Sequence, residues 1–293
     1  MRFDKYYEPT TALECCRILK EYGSDAKVLA GGTDVVPRLK NKIWRPKAIV
    51  SICKLPDIDT IAVQKDSLEL GAAARLRRIS LDKSLEKDYR VIMEAAGNVS
   101  SMQVRNIATI GGNACNASPS ADAIQGLMAM DAKAVIAGSD GIREVAIEDF
   151  FTGPGTTVLK EGEFLLKFKI FAPKAGTGAV YKKFAIRGDT DISIVGVACQ
   201  LILQKDGTIE DARISLAAVA PKPIRASEAE KLLTGKKLTE ELINQAGEAA
   251  ANSCAPITDQ RATAEYRKQM VGVWTRHAVE EAAERAKIKL NDN

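Results

Sequence analysis

A chain of 293 residues is longer than a typical single domain, so two or three compact units are expected. A hydrophobic fraction of 46% excludes a disordered protein, and 42 basic against 38 acidic residues leave a net charge of +4, without the Lys/Arg clusters of a nucleic-acid surface. No run approaches the roughly 18 apolar residues of a membrane span, and Met1-Arg2-Phe3-Asp4-Lys5 lacks the apolar core of a signal peptide, so a cytoplasmic location is expected.

The opening third reads as α/β. Thr11 with Glu14 three residues later forms a capping-box pattern, predicting a helix to Tyr22 that stops at Gly23. A short strand, Lys27–Ala30, runs into Gly31-Gly32-Thr33-Asp34; Val35 to Lys42 reads as helix and Lys47 to Ile52 as the next strand. Strands are expected at Thr60–Val63 and Ser67–Leu70, then a helix around Tyr89–Ala96. A second glycine-rich passage fills Gln103 to Asp122. Ala121–Met130 reads as helix, Ala132–Ala137 as strand, Phe150–Thr157 as loop and Glu163–Ile170 as strand. Pro173 to Gly178 has linker composition.

Beyond the linker, Ala179–Phe184, Ser193–Leu203 and Ala212–Ala220 suggest a three-stranded antiparallel sheet. The helices Ala226–Leu233, Leu238–Ser253 and Ala262–Ile288 follow. In the last, Tyr266, Met270, Val273, Trp274, His277 and Ala278 share one face, read as a core stripe.

Side-chain chemistry is scarce. Cys15, Cys16, Cys53, Cys115, Cys199 and Cys254 contain no C-x-x-C, so they suit neither zinc nor an iron–sulfur centre, and most read as buried thiols. His277 is the sole histidine, and no G-x-S-x-G elbow is present to recruit it. The chemistry should therefore come from a bound cofactor.

Two paired-glycine loops are the candidates for holding one. In Leu29-Ala30-Gly31-Gly32-Thr33-Asp34-Val35, glycines let backbone N–H groups converge on an anion, and a helix start adds partial positive charge. Ala108-Thr109-Ile110-Gly111-Gly112-Asn113-Ala114-Cys115 offers a second pair with neutral hydrogen-bonding groups, followed by Ser118 and Asp122. Asp122 serves either as a charge at a helix start or as an acceptor for ribose hydroxyls. Either loop alone is an ordinary turn signal; together they suggest a groove for a dinucleotide pyrophosphate. A Rossmann G-x-G-x-x-G is absent, and Gly235-Lys236-Lys237 has Glu230 where a P-loop needs its first glycine.

At these loops the sequence resembles the FAD subunits of molybdenum hydroxylases. The first signature, A-G-G-T-D followed by an apolar residue, is Ala30–Val35. The second, Q-x-R-N-x-A-T-x-G-G-N, spans Gln103 to Asn113, and a third, K-x-x-x-R-x-x-x-D-[IL], is Lys183, Arg187, Asp191 and Ile192. Further similarity at Thr152–Gly155, Ala217–Pro221, Pro223–Arg225 and Arg261–Arg267 extends it over nearly the whole chain, closest to bacterial xanthine dehydrogenase FAD subunits.

The resemblance implies an α+β chain with a two-lobed FAD-binding fold of the vanillyl-alcohol oxidase (PCMH-like) type. Its lobes would span about 1–55 and 56–175, and a C-terminal domain with a three-stranded sheet and helices would span 176–293. It assigns noncovalent FAD contacts to Val28, Leu29, Ala30, Gly31, Gly32, Thr33, Asp34 and Val35 around the pyrophosphate, and to Ala108, Thr109, Gly112, Asn113, Cys115 and Ser118 from the second lobe. Asp122 is expected at the adenosine end, Leu165 beside the isoalloxazine and Lys183 at the flavin's polar edge. No side chain is expected to be catalytic or to bind metal. Molybdopterin and [2Fe–2S] clusters belong to partner subunits, with NAD⁺ the expected acceptor. Other readings are a stand-alone flavin reductase like UDP-N-acetylenolpyruvoylglucosamine reductase, whose R-x-S-x-G-S-x-F/W motif is missing, and a redox-inactive assembly module.

Overall fold

The computed structural model describes residues 3–188 and 190–291; Met1 and Arg2 of the N-terminal stretch read above lie outside them. Chain entry is set by β1 (Lys5–Tyr7), α1 (Ala12–Tyr22), β2 (Ala26–Leu29), α2 (Val35–Lys40) and β3 (Ala48–Ser51). Thr11 caps α1 by accepting from the Glu14 N–H at 3.2 Å, while Glu14 reaches back to the Thr10 N–H at 2.9 Å, one residue earlier than a standard capping box. The three strands form a parallel sheet ordered β1-β3-β2. β1 has no apolar alternation and escapes a sequence reading. It exists because the fully buried β3 offers it an edge.

The second lobe is a five-stranded sheet. Its strands are β4 (Ile61–Val63), β5 (Ser67–Gly71), β6 (Lys133–Gly138), β7 (Gly141–Ala146) and β10 (Phe164–Phe171), ordered β4-β5-β10-β6-β7 and antiparallel throughout. Between β5 and β6 run α3 (Leu76–Leu81), α4 (Arg90–Gly97), α5 (Met102–Arg105), α6 (Ile110–Asn116) and α7 (Asp122–Ala129). The stretch read as loop at Phe150–Thr157 contains a small hairpin, β8 (Phe151–Gly153) with β9 (Thr156–Thr157).

The C-terminal sheet contains β11 (Thr177–Phe184), β12 (Val195–Leu203), β13 (Ile209–Ala217) and a two-residue β14 (Ile224–Arg225). Three strands were expected; the fourth is a short edge, pairing Ser215 with Arg225 and Leu216 with Ile224. All nine residues of β12 are buried, so its apolar run is not an alternation. Both sheet faces are covered. One carries α8 (Ser227–Leu233), α9 (Glu240–Asn252) and α10 (Ala264–Asn291), and the other lies on α4 and α7. Adjacent residues of β11 accordingly enter different cores, Val180 with the helices and Tyr181 with the preceding lobe.

The expected stripe on the last helix is displaced. Its buried face is Arg267, Val271, Thr275, Ala278, Val279, Ala282, Ala283 and Ala286, whereas Tyr266 and His277 are exposed and Met270, Val273 and Trp274 half-buried. Small residues let the helix approach the sheet closely. The larger side chains gather at its rim, where Trp274 stacks on Phe184 at 5.6 Å.

Candidate functional site: a groove between two glycine loops

The first loop leaves β2 and crosses the second almost in contact. A Cβ on Gly31 would stand 1.9 Å from the Ile107 carbonyl oxygen, so only glycine permits the crossing. Gly32 has φ of +74°, which turns the chain toward α2. Among the described residues, the N–H groups of Gly31, Gly32, Thr33 and Asp34 find no acceptor. Four neighbouring donors without partners form a backbone anion nest. Because α2 has only six residues, this nest, and not a long helix dipole, is what remains for a phosphate.

The second loop is more committed. Ala108, Ala74 and Ala72 carbonyls accept from Leu76, Ile110 and Gly111 N–H groups at 2.9, 3.0 and 2.9 Å, zipping it to the segment after β5. Thr109 caps α6 by accepting from the Gly112 N–H at 3.0 Å. The Gly112 N–H is therefore already bonded within the chain. The Asn113 Oδ1 is buried without a partner among the described residues.

Between the loops lies a cavity of about 270 Å³, near the lower end for a small-molecule pocket. Of the expected contacts, Val28, Ala30, Gly31, Gly32, Thr33, Asp34, Val35, Thr109, Gly112, Cys115 and Leu165 line it. Leu29, Ala108, Asn113, Ser118, Asp122 and Lys183 do not. The lining also includes Lys27, Arg38, Trp44, Asn116, Leu159 and Glu163, which sequence reasoning missed. None of these belongs to a motif that the sequence offers.

Charges in the cavity are mixed. Burial pushes the Asp34 carboxyl up, with Arg38 pulling it partly back. Glu163 is held below the usual carboxylate range by the Arg143 guanidinium, whose Nε and Nη2 donate to its two oxygens at 2.8 and 2.7 Å.

Asp122 and Lys183, expected at opposite ends of the cofactor, are together. Lys183 Nζ donates to Asp122 Oδ2 at 2.9 Å, and the hydroxyls of Tyr181 and Ser193 donate to Asp122 Oδ1. Burial and then Asp122 itself push the Tyr181 hydroxyl well up, so it stays a donor. The cluster ties β11 to the start of α7, and an ion pair cannot serve both ends of an extended molecule. Leu165, expected beside the isoalloxazine, lines the cavity with the first loop, and Lys183 does not. In the third motif, Arg187 and Asp191 pair with each other, Nε donating at 2.9 Å.

A two-lobed α+β chain with unpartnered backbone N–H groups facing a second glycine loop has the features of a protein that binds a phosphate-bearing ligand. Residues 1–174 match the family described as the FAD binding domain in molybdopterin dehydrogenase, and residues 179–282 match the CO dehydrogenase flavoprotein C-terminal domain. The chain is 32% identical over 290 residues to the xanthine dehydrogenase FAD-binding subunit of Escherichia coli O157:H7, covering 98% of this chain and 99% of that one. It is 31% identical over 282 residues to the carbon monoxide dehydrogenase medium chain of Hydrogenophaga pseudoflava, covering 96% and 97%. A solved structure of carbon monoxide dehydrogenase from that organism superposes with a TM-score of 0.92 at 32% identity, over 97% of this chain and 98% of the other. The chain belongs to the FAD-binding flavoprotein subunits of the molybdenum hydroxylase family, oxidoreductases whose molybdenum cofactor and iron–sulfur clusters reside on other subunits.

Proposed function

We propose that this chain carries electrons from a [2Fe–2S] partner subunit, through noncovalent FAD, to NAD⁺ or another acceptor, within a xanthine dehydrogenase-like complex that also holds a molybdopterin-binding large subunit. The observation that carries the reading is the set of unpartnered N–H groups from Gly31 to Asp34, opening on a cavity walled by the second glycine loop. Those donors hold a diphosphate, Thr33 adds a hydroxyl, and Val28 and Leu165 offer apolar surface to a ring. Redox chemistry at this site comes from the isoalloxazine, and the protein supplies binding and orientation. Lys183 is retained as a candidate for the flavin's polar edge on resemblance alone. Residues 1–175 form the FAD-binding unit in this reading and 176–293 the C-terminal domain, with a cytoplasmic location.

The test begins with the absorption spectrum of the purified chain. About one FAD per chain, released intact on denaturation, is expected; a flavin-free chain that also takes up no added FAD overturns the reading. Anaerobic addition of the iron–sulfur partner reduced beforehand should bleach the flavin bands, and unchanged bands overturn electron transfer, favouring an assembly module. Back-reduction by NADH supports NAD⁺ as the acceptor, and its failure assigns another. The isolated chain should hydroxylate no purine or nicotinate-like heterocycle.

A further inference from the structure

Arg38 and Trp44 belong to no motif, yet both line the cavity. They are brought together by the turn after α2. The Arg38 carbonyl accepts from the Ile43 N–H at 2.9 Å and the Trp44 N–H at 3.2 Å, and Lys42 takes φ of +60° to close the turn. This folds the indole back under the guanidinium, whose carbon lies 4.4 Å from the ring centroid. Lys27 Nζ approaches the same ring at 5.4 Å.

The guanidinium also crosses the groove. Its Nη2 donates to Asn116 Oδ1 at 2.7 Å, linking α2 of the first lobe to the end of α6 in the second. Asn116 is neutral, and among the described residues neither Arg38 nor Lys27 forms a salt bridge. Among the described residues Lys27 Nζ donates only to the Ser24 carbonyl, at 3.1 Å. Neither cation has a carboxylate in ion-pair contact, Asp34 on the same wall acting on Arg38 only at longer range, and Arg38 keeps most of its five donors available. A diphosphate carries complementary charge, and the planar guanidinium grips phosphate oxygens in pairs.

We propose that Arg38, oriented by Trp44 and assisted by Lys27, binds the ADP half of the cofactor and holds the two lobes together over its diphosphate. The inference rests on the FAD reading above and adds residues that neither glycine loop contains. Arg38 is a binding residue here; Trp44 and Asn116 are positioning residues.

The experiment titrates the full-length apo-chain with FAD and with ADP by calorimetry, for wild type, Arg38→Gln, Arg38→Lys, Trp44→Leu and Trp44→Phe. Arg38→Gln should weaken both ligands by about ten- to a hundredfold, the range for a hydrogen bond to a charged group. Its apo-form should lose only the Asn116 hydrogen bond and the Trp44 contact, a smaller loss than that in binding. Arg38→Lys should recover part of the affinity and Trp44→Phe most of it, whereas Trp44→Leu should not. The salt dependence of FAD binding should become shallower in Arg38→Gln. Wild-type affinity for FAD and ADP in Arg38→Gln overturns this proposal alone, as does a loss matched by an equal drop in apo-stability. A wild-type chain that binds no FAD overturns the function reading, and this one with it.

Discussion

Lys183 Nζ stands 2.9 Å from Asp122 Oδ2 and 2.8 Å from the Asn98 carbonyl, with its side chain 5% exposed and that of Asp122 7%. The pair joins the C-terminal sheet to the second lobe, where Tyr181 and Ser193 complete the carboxylate's shell. Desolvating two charges is costly, so such a pair is worth little against an apolar replacement but much against a half-removed one.

Lys183→Met is therefore expected to lower unfolding free energy by about 3 kcal/mol, measured by urea denaturation. The double variant Lys183→Met, Asp122→Leu should recover part of that loss. Two losses that simply add would show that the residues do not interact in the folded chain. FAD content separates the structural role from a cofactor role: Lys183→Met that folds but retains no FAD places the ammonium on the cofactor as well.

Gly31 and Gly32 sit side by side but fail differently. A methyl group on residue 31 would collide with the Ile107 carbonyl, which the backbone must move to relieve, so Gly31→Ala should separate the loops and abolish FAD binding. Gly32→Ala meets only the Val36 and Leu29 side chains, at 3.2 and 3.3 Å, and costs mainly the strain of φ at +74°, about 1–2 kcal/mol. Flavin occupancy of the two purified variants checks the contrast. Equal retention of FAD would show that the crossing of the loops is not what shapes the site.

The first loop was legible because its residue types are dictated by its own backbone: a strand, two glycines and a short helix are local events. The cavity wall was not. Arg38, Asn116 and Glu163 come to one cavity only through tertiary packing of α2, α6 and the residue entering β10, and no periodicity relates their sequence positions. The pairing of Asp122 with Lys183 was not legible for the same reason, since its partners Tyr181, Lys183 and Ser193 lie 59, 61 and 71 residues away. On α10 the helix itself was readable, but its buried face was not. Alanine packing against a sheet outweighed the larger apolar side chains.

Acid should attack the cavity through Glu163. Its carboxyl is held low chiefly by Arg143, so the pair contributes stability above the ordinary glutamate range and loses it as pH falls through the lowered folded-state value. Glu163→Gln should remove about 1–2 kcal/mol at neutral pH and flatten stability in the acid limb, as read from urea midpoints between pH 7 and pH 3. An acid limb as steep as that of wild type would assign the loss to other carboxylates.

Asp34 runs the opposite way. Burial raises its carboxyl, so it favours the folded state at low pH, and that contribution is lost as pH rises through the raised value. In the ionised form it also places a negative charge beside four N–H donors that await an anion. Asp34→Asn keeps the size of the side chain and removes that charge; Asp34 makes no capping hydrogen bond that the substitution would lose. FAD should then bind about two- to fivefold more tightly at neutral pH, the scale of a single partly screened charge near a binding site. Wild-type affinity should rise toward the Asp34→Asn value as pH drops from neutrality through the raised Asp34 titration, while the variant stays level in that window. Weaker FAD binding by Asp34→Asn would instead make the carboxylate an acceptor for a cofactor hydroxyl, and a pH profile identical to wild type would remove Asp34 from the electrostatics of the groove.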